Sequence, residues 1–165
     1  MLVNYDLIIL GAGITGLSVA RQKLIENPDC QILIIEKECK IGMHGSGRNS
    51  GVLHSGIYYP SDTLKAKFCS EGSKLMASYC EKYNLPLMKC GKVILPTKSE
   101  DEDQIDLLYK RGVKNGASVK IISQKELREI EPEASTIAQR ALYSPNTSVI
   151  DPYAVLSKIQ SELNN

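Results

Sequence analysis

The chain has 165 residues, of which 42% are hydrophobic and 24% charged, and its 20 basic and 19 acidic side chains leave a formal net charge of +1. This balance excludes the broad nucleic-acid or anionic-membrane binding that a surplus of basic side chains supports, so we expect no nucleic-acid partner. A chain of this length is expected to fold around a real hydrophobic core.

The beginning of the chain predicts a strand, a glycine turn, a helix and a second strand. Tyr5–Leu10 is a short and almost wholly apolar run, which is typical of a parallel strand covered on both faces. Ile14–Glu26 has apolar residues at helical spacing and is followed by Asn27-Pro28, which ends a helix. Gln31–Ile35 is the second predicted strand. This order predicts a β-α-β unit and an α/β fold.

The middle of the chain predicts a loop and then a long helix. Gly42–Gly56 contains five glycines and both histidines, and it shows neither a helical nor a strand period. Asp62–Tyr83 is predicted to be a helix that begins at an Asp or Ser cap. The predicted apolar face of this helix consists of Leu64, Phe68, Leu75, Met76 and Tyr79.

The remainder alternates short strands and helices, without a repeat period or a linker between two long domains. A second domain must therefore be interleaved with the first. An acidic run at Glu100–Asp103 favours the start of a helix, and Asp151-Pro152 is typical of a helix cap followed by a first-turn proline. The predicted strands are Gly91–Leu95, Val119–Ile122 and Ala141–Tyr143, and the predicted helices are 100–115, Ser123–Ile130 and 152–165.

Cysteine and histidine usage bears on metal binding and compartment. The five cysteines form no CxxC pair, and His44 and His54 are the only histidines. Because zinc sites need closely spaced Cys and His ligands, we predict no metal site. The first apolar run is far shorter than the roughly 20 residues that span a bilayer, and no basic signal region precedes it. We therefore expect a cytoplasmic protein, with peripheral membrane attachment as the alternative.

The most specific local motif is GAGITG at Gly11–Gly16, directly after the first strand. Gly11 allows a tight turn, Gly13 lets the backbone approach a pyrophosphate, and Gly16 allows close helix-to-strand packing. The helix that begins near Ile14 offers unpaired amides to the phosphates. The motif predicts a dinucleotide site, against the alternative of a turn that serves packing alone.

Glu36 adds an acidic group at the end of the second strand, 20 residues after Gly16. A carboxylate there can accept hydrogen bonds from ribose hydroxyls and repel a 2′-phosphate, although a solvated strand end is the alternative. The Gly42–Gly56 loop favours FAD over NAD, because a loop that returns to the nucleotide suits a long flavin. An NAD-dependent dehydrogenase would begin a further β-α-β repeat in that place.

Four longer blocks carry a resemblance to a known family. They are HGSGRNSGVLHSGIYYP at His44–Pro60, LKAKFCSEG at Leu64–Gly72, CGKVI at Cys90–Ile94 and SVIDPYAVL at Ser148–Leu156. Together they resemble the FAD-dependent L-2-hydroxyglutarate dehydrogenase (oxidase) family of the D-amino-acid-oxidase-like flavoproteins. The blocks span almost the whole chain.

The resemblance implies a Rossmann-like FAD-binding domain of the glutathione-reductase type, interleaved with part of a mixed-sheet α+β substrate domain. On this basis we assign 1–90 to the first part of the FAD-binding domain, 91–145 to the start of the substrate domain and 146–165 to a return helix. Members of such a two-domain family have about 400 residues. We therefore expect a truncated chain, or half of a split enzyme that a C-terminal polypeptide completes.

The reaction that the resemblance implies oxidises an L-2-hydroxy acid, best L-2-hydroxyglutarate to 2-oxoglutarate, by hydride transfer to the flavin. Oxygen or a quinone is the expected electron acceptor. Two alternatives remain open. One is a flavin-dependent amine or amino-acid oxidase or a glycerol-3-phosphate dehydrogenase relative, and the other is a non-catalytic nucleotide-binding remnant.

The resemblance also implies roles for single residues. His54 is the candidate base or flavin contact, because imidazole accepts a proton near neutral pH, while a backbone hydrogen bond is the alternative role. Arg48 is expected to balance phosphate charge, against the alternative of a surface ion pair. A helix start near Asn49 is expected to add free amides. The predicted cofactor-binding residues are Gly11, Gly13, Ile14, Thr15, Gly16, Glu36, Lys37, His44, Gly45, Ser46, Arg48, Asn49 and Ser50.

Overall fold

The computed structural model describes residues 4–96 and 98–164. The chain forms two compact units, one from the residues up to Gly51 and from Asp151 onward, the other from Val52–Ile150. The domain boundaries predicted at 90/91 and 145/146 stay a prediction. In chain order the elements are β1 (Leu7–Leu10), α1 (Ile14–Glu26), β2 (Ile32–Ile35), β3 (Val52–Leu53), α2 (Leu64–Lys82), β4 (Leu87–Met88), β5 (Lys92–Ile94), α3 (Glu102–Lys114), β6 (Lys120–Ser123), α4 (Gln124–Ile130), β7 (Arg140–Ser144), β8 (Ser148–Ile150) and α5 (Pro152–Leu163).

The first unit contains the predicted β-α-β arrangement. β1 and β2 are parallel, with Leu7 opposite Ile32 and Leu10 opposite Ile35. The helices α1 and α5 pack together, and their contact is reinforced by an ion pair between Arg21 and Glu162. The core of this unit consists of Ala12, Leu17, Ala20, Cys30, Val155, Leu156 and Ile159. The α/β prediction is confirmed.

One face of the β1–β2 sheet stays exposed within the first unit. Burial alternates along β1, where Ile8 and Leu10 are exposed while Leu7 and Ile9 are partly buried. Because successive side chains of a strand point to opposite faces, only one face is covered. The expectation that β1 is covered on both faces is therefore wrong for this unit.

The second unit contains two antiparallel sheets with the strand orders β3-β8-β4 and β5-β7-β6. The strands β3, β4 and β8 are additions to the predicted set, and β3 lies inside the stretch that the sequence predicts as a loop. Two small clusters form its core, one around Ile105 and Leu142 and the other around Ile122 and Leu127.

The buried face of α2 differs from the prediction. Leu64, Phe68 and Leu75 are exposed, whereas Ala66 and Cys80 are buried. The packing side of α2 carries small residues because the turn at Gly56 lies directly against it; a Cβ on Gly56 would come within 3.3 Å of the Ala66 carbonyl oxygen. Met76 and Tyr79 of the predicted apolar stripe are partly buried, so the prediction is wrong only for Leu64, Phe68 and Leu75.

Helix caps explain why several boundaries were predictable. Ser123 and Glu126 form a capping box at α4, and the Asp151 carboxylate accepts hydrogen bonds from the Tyr153 and Ala154 amides at α5. The N-cap of α2 is Thr63, whose hydroxyl accepts the Ala66 amide proton, rather than the expected Asp or Ser. None of the helices in the described ranges is long and apolar enough to cross a membrane.

Candidate functional site

The glycine turn between β1 and α1 is closely packed. Gly11 has a φ of +106°, a conformation that favours glycine. A Cβ on Gly16 would lie only 2.1 Å from the Gly11 carbonyl oxygen and 3.1 Å from the Ile9 side chain. The first turn of α1 therefore lies directly against the end of β1.

The Glu36 carboxylate points to this turn. Its Oε2 accepts the Ala12 amide proton at 2.7 Å, and its Oε1 accepts the Glu38 amide proton at 3.0 Å. These two bonds, the Glu38 one foremost, hold the pKa of Glu36 below its ordinary value, so the group is ionised at neutral pH. Because a carboxylate has about four acceptor positions, acceptor capacity remains for a hydroxyl group of a ligand.

The start of α1 presents backbone amides. Gly13 is the N-cap and gives no side-chain cap, while the Ile14 amide donates to Ser46 Oγ at 3.0 Å. The amides of Thr15 and Gly16 have no acceptor within the part of the chain that the structure describes. Since the first amides of a helix lack intrahelical partners and lie at its positive end, this surface suits an anionic group.

A tight turn carries Ser46 to the start of α1. The amides of Gly47 and Arg48 both donate to the His44 carbonyl oxygen, at 3.1 and 3.0 Å. A Cβ on Gly47 would come within 2.6 Å of the Tyr153 ring, so the turn also lies directly against α5. Residues 41–47 form turns, and no helix begins near Asn49, so that expectation is wrong. The chain continues into β3 because Val52 and Leu53 pair with β8.

Asn49 is fully engaged inside this loop. Its side-chain Nδ2 donates to the carbonyl oxygens of Gly45 at 3.0 Å and Ser46 at 2.9 Å, while Oδ1 accepts the Gly51 amide proton at 2.9 Å. Ser50 is exposed, and a Cβ on Gly45 would meet no atom within 4 Å. The backbone at Gly45 is therefore open to a ligand.

The charged residues of the predicted set lie at the rim. His44 Nε2 is 2.8 Å from Glu38 Oε1, and Lys37 Nζ is 3.7 Å from the same oxygen. The Arg48 side chain is exposed and pairs with no carboxylate in residues 4–96 and 98–164. Among the described residues no group of three or more His, Cys, Asp or Glu side chains could hold a metal ion.

His54 belongs to the second unit and has its own surroundings there. Its ring meets the Tyr58 ring edge-on, with 6.0 Å between centroids, and Lys92 Nζ lies 4.7 Å from the centre of the Tyr58 ring. The Cys69 thiol donates to the His54 carbonyl oxygen at 3.1 Å. Burial first, and the positive charge of Lys92 second, lower the pKa of His54, which favours a neutral imidazole.

Within the first unit the structure brings together the glycine turn, Glu36, Ser46 and the start of α1. Two residues of the site were not predicted from the sequence: Ala12, whose amide joins Glu36 to the turn, and Gly47, which allows the loop to approach α5. The sequence indicated the close contact between the loop and α5 only through the many glycines of 42–56. Glycine content alone does not predict which helix the loop contacts.

Many solved structures resemble this chain, among them two oxidases. L-alpha-glycerophosphate oxidase from Mycoplasma pneumoniae, with FAD bound, aligns with a TM-score of 0.86 at 23% identity, covering 99% of this chain and 43% of that one. Glycine oxidase from Geobacillus kaustophilus aligns with a TM-score of 0.84 at 19% identity, covering 97% and 44%. At these identities the likeness shows a shared fold.

Curated relatives are more similar in sequence. The mitochondrial L-2-hydroxyglutarate dehydrogenase of Dictyostelium discoideum is 46% identical over 156 residues, which are 93% of this chain and 34% of that protein. The human protein of the same name is 36% identical over 149 residues, which are 90% of this chain and 32% of that protein. The chain thus spans about a third of the length of the curated relatives it matches. The FAD dependent oxidoreductase family model matches residues 6–164, and the chain belongs to this family.

Proposed function

We propose that this chain is the coenzyme-binding part of an FAD-dependent enzyme that oxidises an L-2-hydroxy acid, with L-2-hydroxyglutarate as the best candidate. The observation that carries the proposal is the position of Glu36, whose carboxylate meets the Ala12 amide at the glycine turn. This position supports a role for Glu36 as the acid that binds the ribose, beside amides that would bind the phosphates. The similarity to L-2-hydroxyglutarate dehydrogenases supports the substrate class.

The donor set of the first unit fits the ADP half of FAD. Glu36 keeps acceptor capacity for a ribose hydroxyl, and the amides at the start of α1 would meet the negative charge of a pyrophosphate. The absence of a side chain at Gly13 leaves room there, since a Cβ would already crowd Ser46 Oγ at 2.9 Å. The residues proposed to hold this half are Gly11, Gly13, Ile14, Thr15, Gly16, Glu36 and Lys37.

The loop after β2 is proposed to serve the pyrophosphate and flavin side. Arg48 has no carboxylate partner in the described ranges, which favours a phosphate role over a surface ion pair. His44 already contacts Glu38, and this pairing leaves one ring nitrogen for a further partner. The proposed set here is His44, Gly45, Ser46, Arg48 and Ser50, while Asn49 acts indirectly, through the conformation of the loop.

His54 is the proposed base. Bound FAD supplies the acceptor for the hydride that leaves C2 of the hydroxy acid. His54 takes the hydroxyl proton on an imidazole nitrogen, so a 2-oxo acid is formed as the O–H and C2–H bonds break. A lowered pKa supports this role, because the imidazole must be neutral to accept a proton.

The electron acceptor and the remaining polypeptide belong to the proposal as well. We expect oxygen or a quinone as the acceptor and a further polypeptide that supplies the rest of the enzyme. The cytoplasm stays our predicted compartment, although the curated relatives are named as mitochondrial proteins.

The test has two stages. First, the purified chain is titrated with FAD while flavin fluorescence is followed, and we expect saturable quenching that AMP or ADP competes away. Second, the chain is co-expressed with the segment that follows the matched third of the Dictyostelium relative, and a substrate panel is measured. Turnover of L-2-hydroxyglutarate above its D-enantiomer, glycine and glycerol 3-phosphate supports the proposal, whereas preference for glycine or glycerol 3-phosphate contradicts the substrate class. No quenching by FAD in either preparation contradicts the coenzyme assignment.

A further inference from the structure

We propose that Asn49 is a positioning residue: it fixes the loop Gly45–Gly51 beside the start of α1 and affects the coenzyme only through that loop. This inference rests on the proposed FAD site and deepens it. It changes the role of Asn49 from the direct coenzyme contact that the sequence suggests to an indirect one.

The hydrogen-bond inventory of Asn49 leads to this assignment. A carboxamide has two N–H groups, and both are donated to carbonyl oxygens of the loop, those of Gly45 and Ser46. The carboxamide oxygen accepts the Gly51 amide proton. With its donors used, Asn49 has no N–H left to offer a phosphate, and a carboxamide oxygen does not attract one.

The loop that Asn49 closes carries Ser46 to the start of α1. Its bonds join Gly45 and Ser46, at the start of the loop, to Gly51 at its end. In between, Ser46 Oγ accepts the first amide proton of α1, at Ile14. The carboxamide therefore determines where Ser46 and the open backbone at Gly45 lie relative to the phosphate-binding amides.

The side chain is suited to a test by substitution because it is exposed. An exposed asparagine contributes little to the hydrophobic core, so Asn49→Ala should leave a folded chain with a looser loop. Asn164→Ala is the matched control: this residue is also exposed, belongs to the same unit and lies at the end of α5.

The experiment measures loop order and FAD affinity separately in the full chain. In Asn49→Ala we expect amide hydrogen exchange at Gly51 to become about tenfold faster or more, since its acceptor is lost, and the FAD dissociation constant to rise about tenfold. Asn164→Ala should change neither quantity, and circular dichroism checks that all variants are folded. Unchanged exchange, or unchanged affinity despite faster exchange, overturns the inference.

A double-variant cycle separates positioning from direct contact. If Asn49 acts by placing Ser46, then Asn49→Ala combined with Ser46→Ala should bind FAD no more weakly than the weaker single variant. Fully additive losses would mean that Asn49 meets the coenzyme by its own route, which overturns the inference. Failure of the proposed function is distinguishable, because it appears as a wild-type chain that binds no FAD.

Discussion

The two units of this chain build their candidate chemistry from different parts of the polypeptide. In the first unit, backbone amides of the glycine turn and α1 form the site together with one carboxylate, that of Glu36. In the second unit, side chains surround the candidate base His54. The Tyr58 ring meets the imidazole edge-on, and burial together with the Lys92 ammonium lowers the pKa of His54. A backbone site is recognisable from the spacing of glycines, whereas a side-chain site needs contacts between distant residues.

The largest effect is expected for Gly13→Val, which tests whether the exposed backbone at Gly13 forms part of the candidate FAD site in the first unit. Gly13 has a φ of −83°, which valine tolerates, and the nearest obstacle to a Cβ is the rotatable Ser46 hydroxyl. The fold should survive, while the branched side chain should block the pyrophosphate and weaken FAD binding by about 100-fold or more. Flavin titration and thermal unfolding measure the two effects. Wild-type affinity for FAD would contradict this placement of the site.

Gly16→Ala should act on the fold rather than on the ligand. Its Cβ would lie 2.1 Å from a backbone oxygen that cannot rotate away, so we expect a loss of about 3 kcal/mol in the free energy of unfolding. Urea denaturation gives the value. The matched control is Gly72→Ala in α2, where a Cβ meets nothing within 4 Å and where alanine should stabilise the helix by up to about 1 kcal/mol. Equal free energies of unfolding for the two variants would contradict the close packing that we assign to Gly16.

The sequence predicted those features that local chemistry decides. The helix α1 was predicted with its observed bounds because Asn27-Pro28 ends it. Only the start of α5 was predicted as observed, because Asp151 caps it; the helix ends at Leu163, and Asn165, the predicted end, lies outside the described residues. The pairs that form β3, β4 and β8 are only two or three residues long and depend on partners far along the chain, so no local period marks them.

The α2 face shows the other limit of sequence analysis. A run of large apolar residues at helical spacing predicts a buried stripe, yet Phe68 and Leu75 are exposed in the second unit. Which face packs is decided by the neighbour, here the turn at Gly56, which requires small residues. Similarly, five glycines marked 42–56 as a loop, but only the structure shows that Ser46 reaches α1.

Glu36→Ala is the next prediction in size. The variant removes the proposed acceptor for the ribose and also the acceptor for the Ala12 and Glu38 amides. We expect the FAD dissociation constant to rise roughly 10- to 100-fold, as for lost bonds to a charged group. Flavin titration measures this rise, and Glu126→Ala, which removes the capping-box carboxylate of α4 in the second unit, is the control. A smaller loss of FAD affinity in Glu36→Ala than in Glu126→Ala would contradict the assignment of the coenzyme site to the first unit.

The smallest expected effect is a change in the pKa of His54 in Lys92→Met. In the wild-type chain the ring should titrate below the ordinary value of 6.5, chiefly because it is partly buried and secondly because Lys92 is positive. Removing the ammonium group should raise the pKa of His54 towards 6.5 without reaching it, since burial is the larger cause. An NMR titration of the imidazole measures both values.

The same shift makes the stability of the chain depend on pH in a defined direction. Because the pKa of His54 is lower in the folded chain, the imidazole takes up its proton at a higher pH in the unfolded chain than in the folded one. The stability that depends on the neutral imidazole is therefore fully present above about pH 6.5. That contribution decreases as the pH falls through 6.5 towards the folded-state pKa. Lys92→Met should therefore flatten this decrease, which urea denaturation between pH 5 and 8 can resolve. An unchanged pKa in the variant would mean that the side-chain cluster does not tune His54, and burial alone would then account for its neutral form.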